Sequence, residues 1–151
     1  MYSYTEAVSN QLNGLLEKNY DAEKGYRTAS ENAKGNALTQ FFEKKARERR
    51  NFADQLKTEI RTFGKTPDEG GSIKGAAHRA WMNTKALFSS DNDEVMLEEA
   101  IRGEKASIEE YNEVINSDEH LPQSTANLLK NQRDQIISDT VLIHKLEDIK
   151  S

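Results

Sequence analysis

Residues 5–33 read TEAVSNQLNGLLEKNYDAEKGYRTASENA, and this stretch decides the fold. Mostly apolar side chains recur in it at alternating intervals of four and three residues. They are Val8, Leu12, Leu15, Asn19, Ala22, Tyr26 and Ala29. Such spacing places the side chains along one face of an α-helix for about four heptads. The pattern predicts a long helix that contributes one stripe to the core of a helical bundle.

The turn after this stretch is short. Gly35 suits the left-handed backbone position that follows a helix, and Asn36 suits an N-cap. A second apolar stripe runs from Ala37 to Phe63, and Gly64 is expected to end its helix. A connection of so few residues predicts that the two helices lie antiparallel.

The same spacing predicts four long helices over about 5–33, 37–63, 93–116 and 122–149, with a short connector helix at about 72–88. At 1.5 Å per residue, about 16 helical residues span about 24 Å. That length can carry the chain back along the bundle, so the second and third long helices would run parallel. We therefore expect one all-α domain over 1–151, a ferritin-like antiparallel four-helix bundle with a short extra helix in its crossover. A plain up-down bundle is the alternative.

Composition excludes several classes of protein and site. The 151 residues carry a formal net charge of −5 and include no cysteine, which excludes disulfides, thiolate metal sites and cysteine nucleophiles. An acidic balance of this kind argues against nucleic-acid binding. The sequence has no secretory signal and no apolar run long enough for a membrane span, so we expect a cytoplasmic protein.

Three motifs carry a resemblance to a known family. They are DAEKGY at 21–26, GSIKGAAHRAW at 71–81, and GEKA at 103–106 followed by Tyr111. Together they resemble the bacterial ferritin-like four-helix-bundle family known as domain of unknown function 2383, over about residues 4–149. The resemblance implies a ferritin-like fold and no particular activity.

Carboxylate-bridged di-iron bundles take a lone Glu from each of two helices and a Glu-x-x-His pair from each of the other two. This chain has three histidines, His78, His120 and His144, and none of them lies three residues after an acidic residue. Both expected imidazole ligands are therefore missing. No cofactor is expected on this count, although a metal ion held by carboxylates stays open.

A polar seam is predicted inside the bundle. Glu104 lies between Ile101 and Ile108 in an apolar stripe, where an isolated carboxylate would be costly to bury. Glu23 has a matching Glu-Lys position on the first helix. The predicted seam comprises Glu104, Arg49, Gln132, Glu23 and Asp139.

The seam has two interpretations. In one, Glu104 pairs with Arg49 and hydrogen-bonds to Gln132, Asn19 or Tyr26, and this layer fixes the register of the helices. In the other, the seam binds a metal ion. Its ligands would be Glu23, Glu104 and Asp139, with Glu48 or His144 as further candidates.

The connector motif His78, Arg79 and Trp81 would either form a recognition patch or pack the connector against the bundle through the Trp81 ring. The leading functional hypothesis is a non-enzymatic protein that associates with a second copy or with another protein. The alternatives are a divergent di-metal protein with oxidase or metal-handling activity, and a small-molecule binder that uses the polar seam.

Overall fold

Four helices make up the part of the chain that the structure describes. The computed structural model describes residues 4–68, 93–117 and 120–150, with side chains as far as Ile143. The helices are α1 (Tyr4–Asn32), α2 (Asn36–Thr62), α3 (Asp93–Ile115) and α4 (Gln123–Lys150). The four predicted long helices are confirmed, each end lying within one residue of its predicted position. The predicted connector helix at 72–88 lies outside the described residues.

The turn between α1 and α2 differs from its prediction in one respect. Gly35 has φ −85° and ψ 136°, so it is the extended N-cap of α2, and Asn36 is the first helical residue. The predicted left-handed conformation at Gly35 is therefore wrong. It occurs instead at Gly64, with φ 75°, where the amide of Gly64 donates to the carbonyl of Arg61 and α2 ends as predicted.

An aspartate at the start of α3 fixes the direction of the third helix. The Asp93 carboxylate accepts hydrogen bonds from the backbone amides of Lys34 (3.0 Å) and Gly35 (3.3 Å) in the α1–α2 turn. At the other end, the Ser117 hydroxyl lies 3.5 Å from the Gln11 side-chain oxygen near the start of α1. Because α3 begins where α2 begins, the two helices run parallel and a crossover joins them, as predicted.

Apolar side chains fill the bundle in two clusters, one near the α1–α2 turn and one toward the opposite end. The first cluster includes Ala22, Tyr26, Phe42, Ala46, Leu97, Ile101 and Ile143. The second includes Leu12, Leu16, Phe52, Leu56, Ile60, Tyr111, Leu129 and Ile136. Each helix contributes to both clusters, so the predicted stripes do face the interior.

None of the helices in the described ranges is long and apolar enough to cross a membrane.

Candidate functional site

A buried lysine ammonium lies at the centre of three carboxylates. Lys45, on α2, is 2% exposed. Its Nζ lies 2.5 Å from Glu48 Oε2, 2.6 Å from Asp139 Oδ2 and 3.2 Å from Glu104 Oε2. These acids belong to α2, α4 and α3, so one ammonium joins three helices through charge-assisted hydrogen bonds.

Arg49 adds a second buried cation one turn further along α2. Its Nη2 donates to Glu104 Oε1 at 2.9 Å and to the Ser107 hydroxyl at 3.1 Å, and its Nη1 donates to Asn19 Oδ1 at 2.9 Å. Glu104 thus presents one oxygen to Arg49 and the other to Lys45. We call the group Lys45, Glu48, Arg49, Glu104 and Asp139 the charged layer.

Glu104 is fully buried and ionised. Burial alone would raise its pKa, but the charges of Arg49 and Lys45 and a hydrogen bond from the Tyr26 hydroxyl hold it below its usual value. Burial would lower the pKa of Lys45, yet the charge of Glu104 raises it. The Tyr26 pKa lies well above its usual value because of burial and the adjacent Glu104. Lys45, Arg49 and Glu104 therefore hold full charges in the interior at neutral pH.

Glu48 is the titratable edge of the charged layer. Burial and a hydrogen bond with Asp139 raise its pKa to about 7, against the opposing charge of Lys45. Burial would raise the pKa of Asp139, but Glu48 and Lys45 lower it, so Asp139 keeps its charge while Glu48 exchanges a proton. Glu48 is 15% exposed and borders a surface cleft of about 400 Å³ with Arg47, and it connects the layer to solvent.

A chain of neutral hydrogen bonds extends the layer toward the second apolar cluster. The Tyr111 hydroxyl accepts from Asn19 Nδ2 at 3.0 Å and donates to Gln132 Oε1 at 2.6 Å. Gln132 Nε2 in turn donates to Gln55 Oε1 at 2.9 Å. Burial raises the pKa of Tyr111 to about 12, so its hydroxyl keeps its proton. Gln132 thus reaches Arg49 through Tyr111 and Asn19 and has no direct bond to Glu104.

The predicted seam residues divide into two groups. Glu104, Arg49 and Asp139 come together around Lys45, and Gln132 is linked to them through Tyr111. Glu23 lies apart: its Oε2 accepts from Arg27 Nη2 at 2.6 Å, and its Oε1 lies 3.9 Å from Arg50 Nη1.

The predicted metal-ligand set is therefore not assembled, because Glu23 faces two arginines while Glu104 and Asp139 share an ammonium. Within residues 4–68, 93–117 and 120–143, no three His, Cys, Asp or Glu side chains are placed to hold a metal ion. The residues of the charged layer do not fit a di-metal centre.

The predicted polar seam did not include Lys45 or Tyr111, and Tyr111 was named only as part of the family motif. Lys45 shares a stripe position with Ala46 and lies four residues before Arg49, so both cations project from one face of α2. Tyr111 follows Glu104 by seven residues, a full heptad on α3. The four-residue interval from Lys45 to Arg49 and the seven-residue interval from Glu104 to Tyr111 were the sequence signals that could have predicted their place in the interior. His78, Arg79 and Trp81 of the connector motif, and the His144 side chain, lie outside the described part of the chain.

The sequence profile of a family described as "Domain of unknown function (DUF2383)" matches residues 7–117. Among solved structures, a point mutant of Dps1 from Mycobacterium smegmatis has a TM-score of 0.77 at 15% identity, over 95% of this chain and 97% of that one. A tetragonal form of M. smegmatis Dps has a TM-score of 0.73 at 15% identity, over 93% and 85%. These likenesses confirm the ferritin-like four-helix bundle. No curated protein matches the sequence significantly.

Proposed function

Since the chain belongs to the DUF2383 family, whose description assigns no activity, we propose a function from its interior. The protein is a ferritin-like bundle that works without a resident di-iron centre and acts by association, with a second copy of itself as its partner. The observation that carries the first part is the Lys45 ammonium, which lies between Glu48, Glu104 and Asp139 within 3.2 Å of each.

The cations of the charged layer take the role that metal ions have in di-iron bundles. Such bundles use a Glu-x-x-His pair on a helix. The pair with the same spacing in the charged layer is Lys45 and Glu48 on α2, and it contains no histidine. A divalent ion at about 4 Å from either Lys45 or Arg49 would be repelled by several kcal/mol at an effective dielectric near 20. The three carboxylates are already neutralised, so they gain little by binding an ion.

Elemental analysis of protein purified without chelator tests this part. We expect less than one iron or manganese ion per ten chains in the native protein, on the order of adventitious binding. Lys45→Ala with Arg49→Leu removes both cations and leaves the three carboxylates, so this double variant should take up Mn²⁺, which binds carboxylates without imidazole. Lys44→Ala with Arg47→Leu removes two cations from exposed positions of the same helix, is the matched control and should take up none.

About two metal ions per native chain, lost in Glu104→Ala, would overturn the proposal. That outcome would support the alternative of a divergent di-metal protein with oxidase or metal-handling activity.

The outer face of α4 supports the association part. Ile137, Val141 and Leu142 are 42%, 54% and 40% exposed, and the only other large apolar side chain so exposed in the described part is Tyr4. Ile137 and Val141 are one turn apart and form a stripe that faces away from the core. Exposed apolar side chains grouped in this way are typical of contact surfaces.

A second copy is the occupant that a patch of this size suits best. In a two-fold contact the same patch is used twice, so a few apolar residues about the axis produce a continuous buried core. Light scattering coupled to size exclusion should give the mass of a dimer, and Ile137→Lys with Val141→Lys should give a monomer. The control Asn127→Lys with Asn131→Lys adds the same charge to exposed positions of α4 and should stay dimeric. A native monomer, or a native mass that the double variant leaves unchanged, would contradict this part.

A further inference from the structure

A basic cleft of about 740 Å³ lies on the α1–α2 side of the bundle. Among the described residues, six basic side chains line it, against the two acidic side chains of Glu23 and Asp68. Subtracting two from six gives a local excess of four positive charges, in a chain whose net charge is −5. The basic residues are Lys24, Arg27, Arg50, Lys57, Arg61 and Lys65. None of the charged layer lines this cleft, so it is a separate feature.

The basic residues of α2 form a row along the cleft. Arg50, Lys57 and Arg61 are seven and four residues apart, which places them on one face of the helix. Eleven residues of helix between the first and last span about 16 Å. Lys24 and Arg27 of α1 lie near the Arg50 end, because Glu23 is 3.9 Å from Arg50. The cleft is therefore positively charged over an extended length.

The described residues neutralise only part of this charge. Arg27 has a close partner in Glu23, at 2.6 Å. Lys65 is 3.7 Å from Glu6, a longer and weaker contact. Lys24 and Arg61 have no ion-pair partner among the described residues.

The remaining contacts along α2 are also long. Arg50 and Lys57 share the exposed Asp54 at 3.5 and 3.8 Å. Exposed pairs at such distances contribute little and exchange readily for a better ligand.

We propose that this cleft binds a linear oligophosphate, a chain of three or more phosphate groups. Guanidinium groups match phosphate oxygens in a two-pronged geometry, and ammonium groups add charge at intermediate points. Single-stranded nucleic acid would require aromatic rings on which bases stack. Among the described residues that line the cleft, the aromatic ring is that of Tyr20, which is 6% exposed and has Lys57 Nζ 5.2 Å from its centre, so it offers no face to a base. The cleft recognises the phosphate chain alone.

Binding of sodium tripolyphosphate and of a longer inorganic polyphosphate, measured by calorimetry at low ionic strength, tests the proposal. Lys24→Gln with Arg61→Gln removes the two cations that have no ion-pair partner, so no described ion pair is broken. Affinity should fall about tenfold and the slope of log affinity against log salt should become shallower. The control Lys105→Gln with Lys130→Gln removes the same charge from exposed positions of α3 and α4, and its affinity should stay within about twofold of native.

Equal losses in the two double variants would show a general charge effect and overturn the proposal. Native binding of a thymidine oligonucleotide as tightly as of polyphosphate would overturn it in favour of a nucleic-acid partner. A native protein that binds neither would overturn it as well. These outcomes are independent of metal content and of mass, which test the proposed function.

Discussion

The bundle interior contains two kinds of core. One is stabilised by the packing of apolar side chains and the other by ion pairs between buried charges. The apolar clusters lie toward the two ends, and the charged layer lies between them. On α3, Glu104 separates Ile101 of the first cluster from Tyr111 of the second, and on α4 Asp139 lies between Ile136 and Ile143. An apolar cluster tolerates many substitutions that conserve its volume, each at a modest cost in stability. The charged layer constrains the helix register, because Glu104 must meet both Arg49 and Lys45 while Asp139 meets Lys45.

Removal of an acid from the charged layer should have the largest effect. Glu104→Ala leaves Arg49 buried without its carboxylate and takes one of three acids from Lys45, and we expect a loss of about 3–5 kcal/mol in the free energy of unfolding. Denaturant titration measures it. Glu98→Ala, at an exposed position of the same helix, should change the free energy by less than about 0.5 kcal/mol. A loss below about 1 kcal/mol for Glu104→Ala would mean that the layer is not energetically coupled.

Removal of volume from an apolar cluster should rank second. Leu12 is fully buried in the second cluster, and Leu12→Ala should cost about 2–4 kcal/mol by lost transfer energy and the cavity left behind. Leu12→Met conserves volume and should cost under about 1.5 kcal/mol. The two kinds of core should differ in one respect. No apolar side chain of similar size at position 104 should recover the stability that Glu104→Ala loses, whereas Leu12→Met should nearly preserve the stability of the native protein. Denaturant titration measures both variants. Equal losses in the free energy of unfolding for Leu12→Ala and Leu12→Met would contradict the prediction that filled volume stabilises this cluster.

The neutral extension of the layer should respond less. Tyr111→Phe removes the hydroxyl that joins Asn19 to Gln132 and leaves both amides short of one partner, so we expect a loss of about 1–3 kcal/mol. Tyr20→Phe is the control: its ring is buried in the same cluster and is stacked by Lys57. It should be neutral within about 0.5 kcal/mol in the same titration. Equal losses in the free energy of unfolding for Tyr111→Phe and Tyr20→Phe would show that the Tyr111 hydroxyl bonds do not stabilise the fold.

The smallest expected effect is a pH dependence at Glu48. Its pKa is about 7 in the folded protein and near 4.3 in an unfolded chain. The folded state therefore binds more protons between these values, and its stability falls as pH rises from about 4.5 to 7. Glu48→Gln should remove this decline, so that the native-minus-variant difference changes by about 1–2 kcal/mol between pH 5 and pH 8. Glu43→Gln, exposed on α2, should follow the native profile. Parallel profiles for native protein and Glu48→Gln would show that Glu48 is not the group responsible.

The stripes of apolar residues were sufficient to predict the four long helices, whereas the ferritin-like crossover was predicted from the length of the connector and from the family resemblance. Val8, Leu12 and Leu15 repeat with a helical period, and a periodic stripe fixes a helix and its buried face with little ambiguity. Gly64 was predicted as a helix end, and its positive φ agrees. Gly35 was assigned the wrong conformation because Asp93, 58 residues away in sequence, accepts from its amide, and no local pattern contains that contact.

The site was less predictable, because side-chain partners depend on distances across helices. Glu104 and Arg49 were placed inside by their positions in apolar stripes, and both are buried. Glu23 has the same Glu-Lys pattern as Glu104, yet it faces Arg27 and Arg50, and a sequence pattern cannot distinguish these environments. Lys45 was missed because lysine is rarely buried unless it is paired, and its three partners lie on three different helices.

The distribution of charge between the two halves of the chain has a consequence for folding. The α1–α2 hairpin supplies both cations of the charged layer and only Glu48 as an acid, whereas the α3–α4 hairpin supplies Glu104 and Asp139. Each hairpin alone would expose an unbalanced charge of one sign on the face that becomes interior. We therefore expect the halves to attract one another before their apolar surfaces meet, and a hairpin paired with its own copy would bring like charges together. The opposite charges of the two hairpins thus favour docking of one hairpin on the other over association of two copies of the same hairpin.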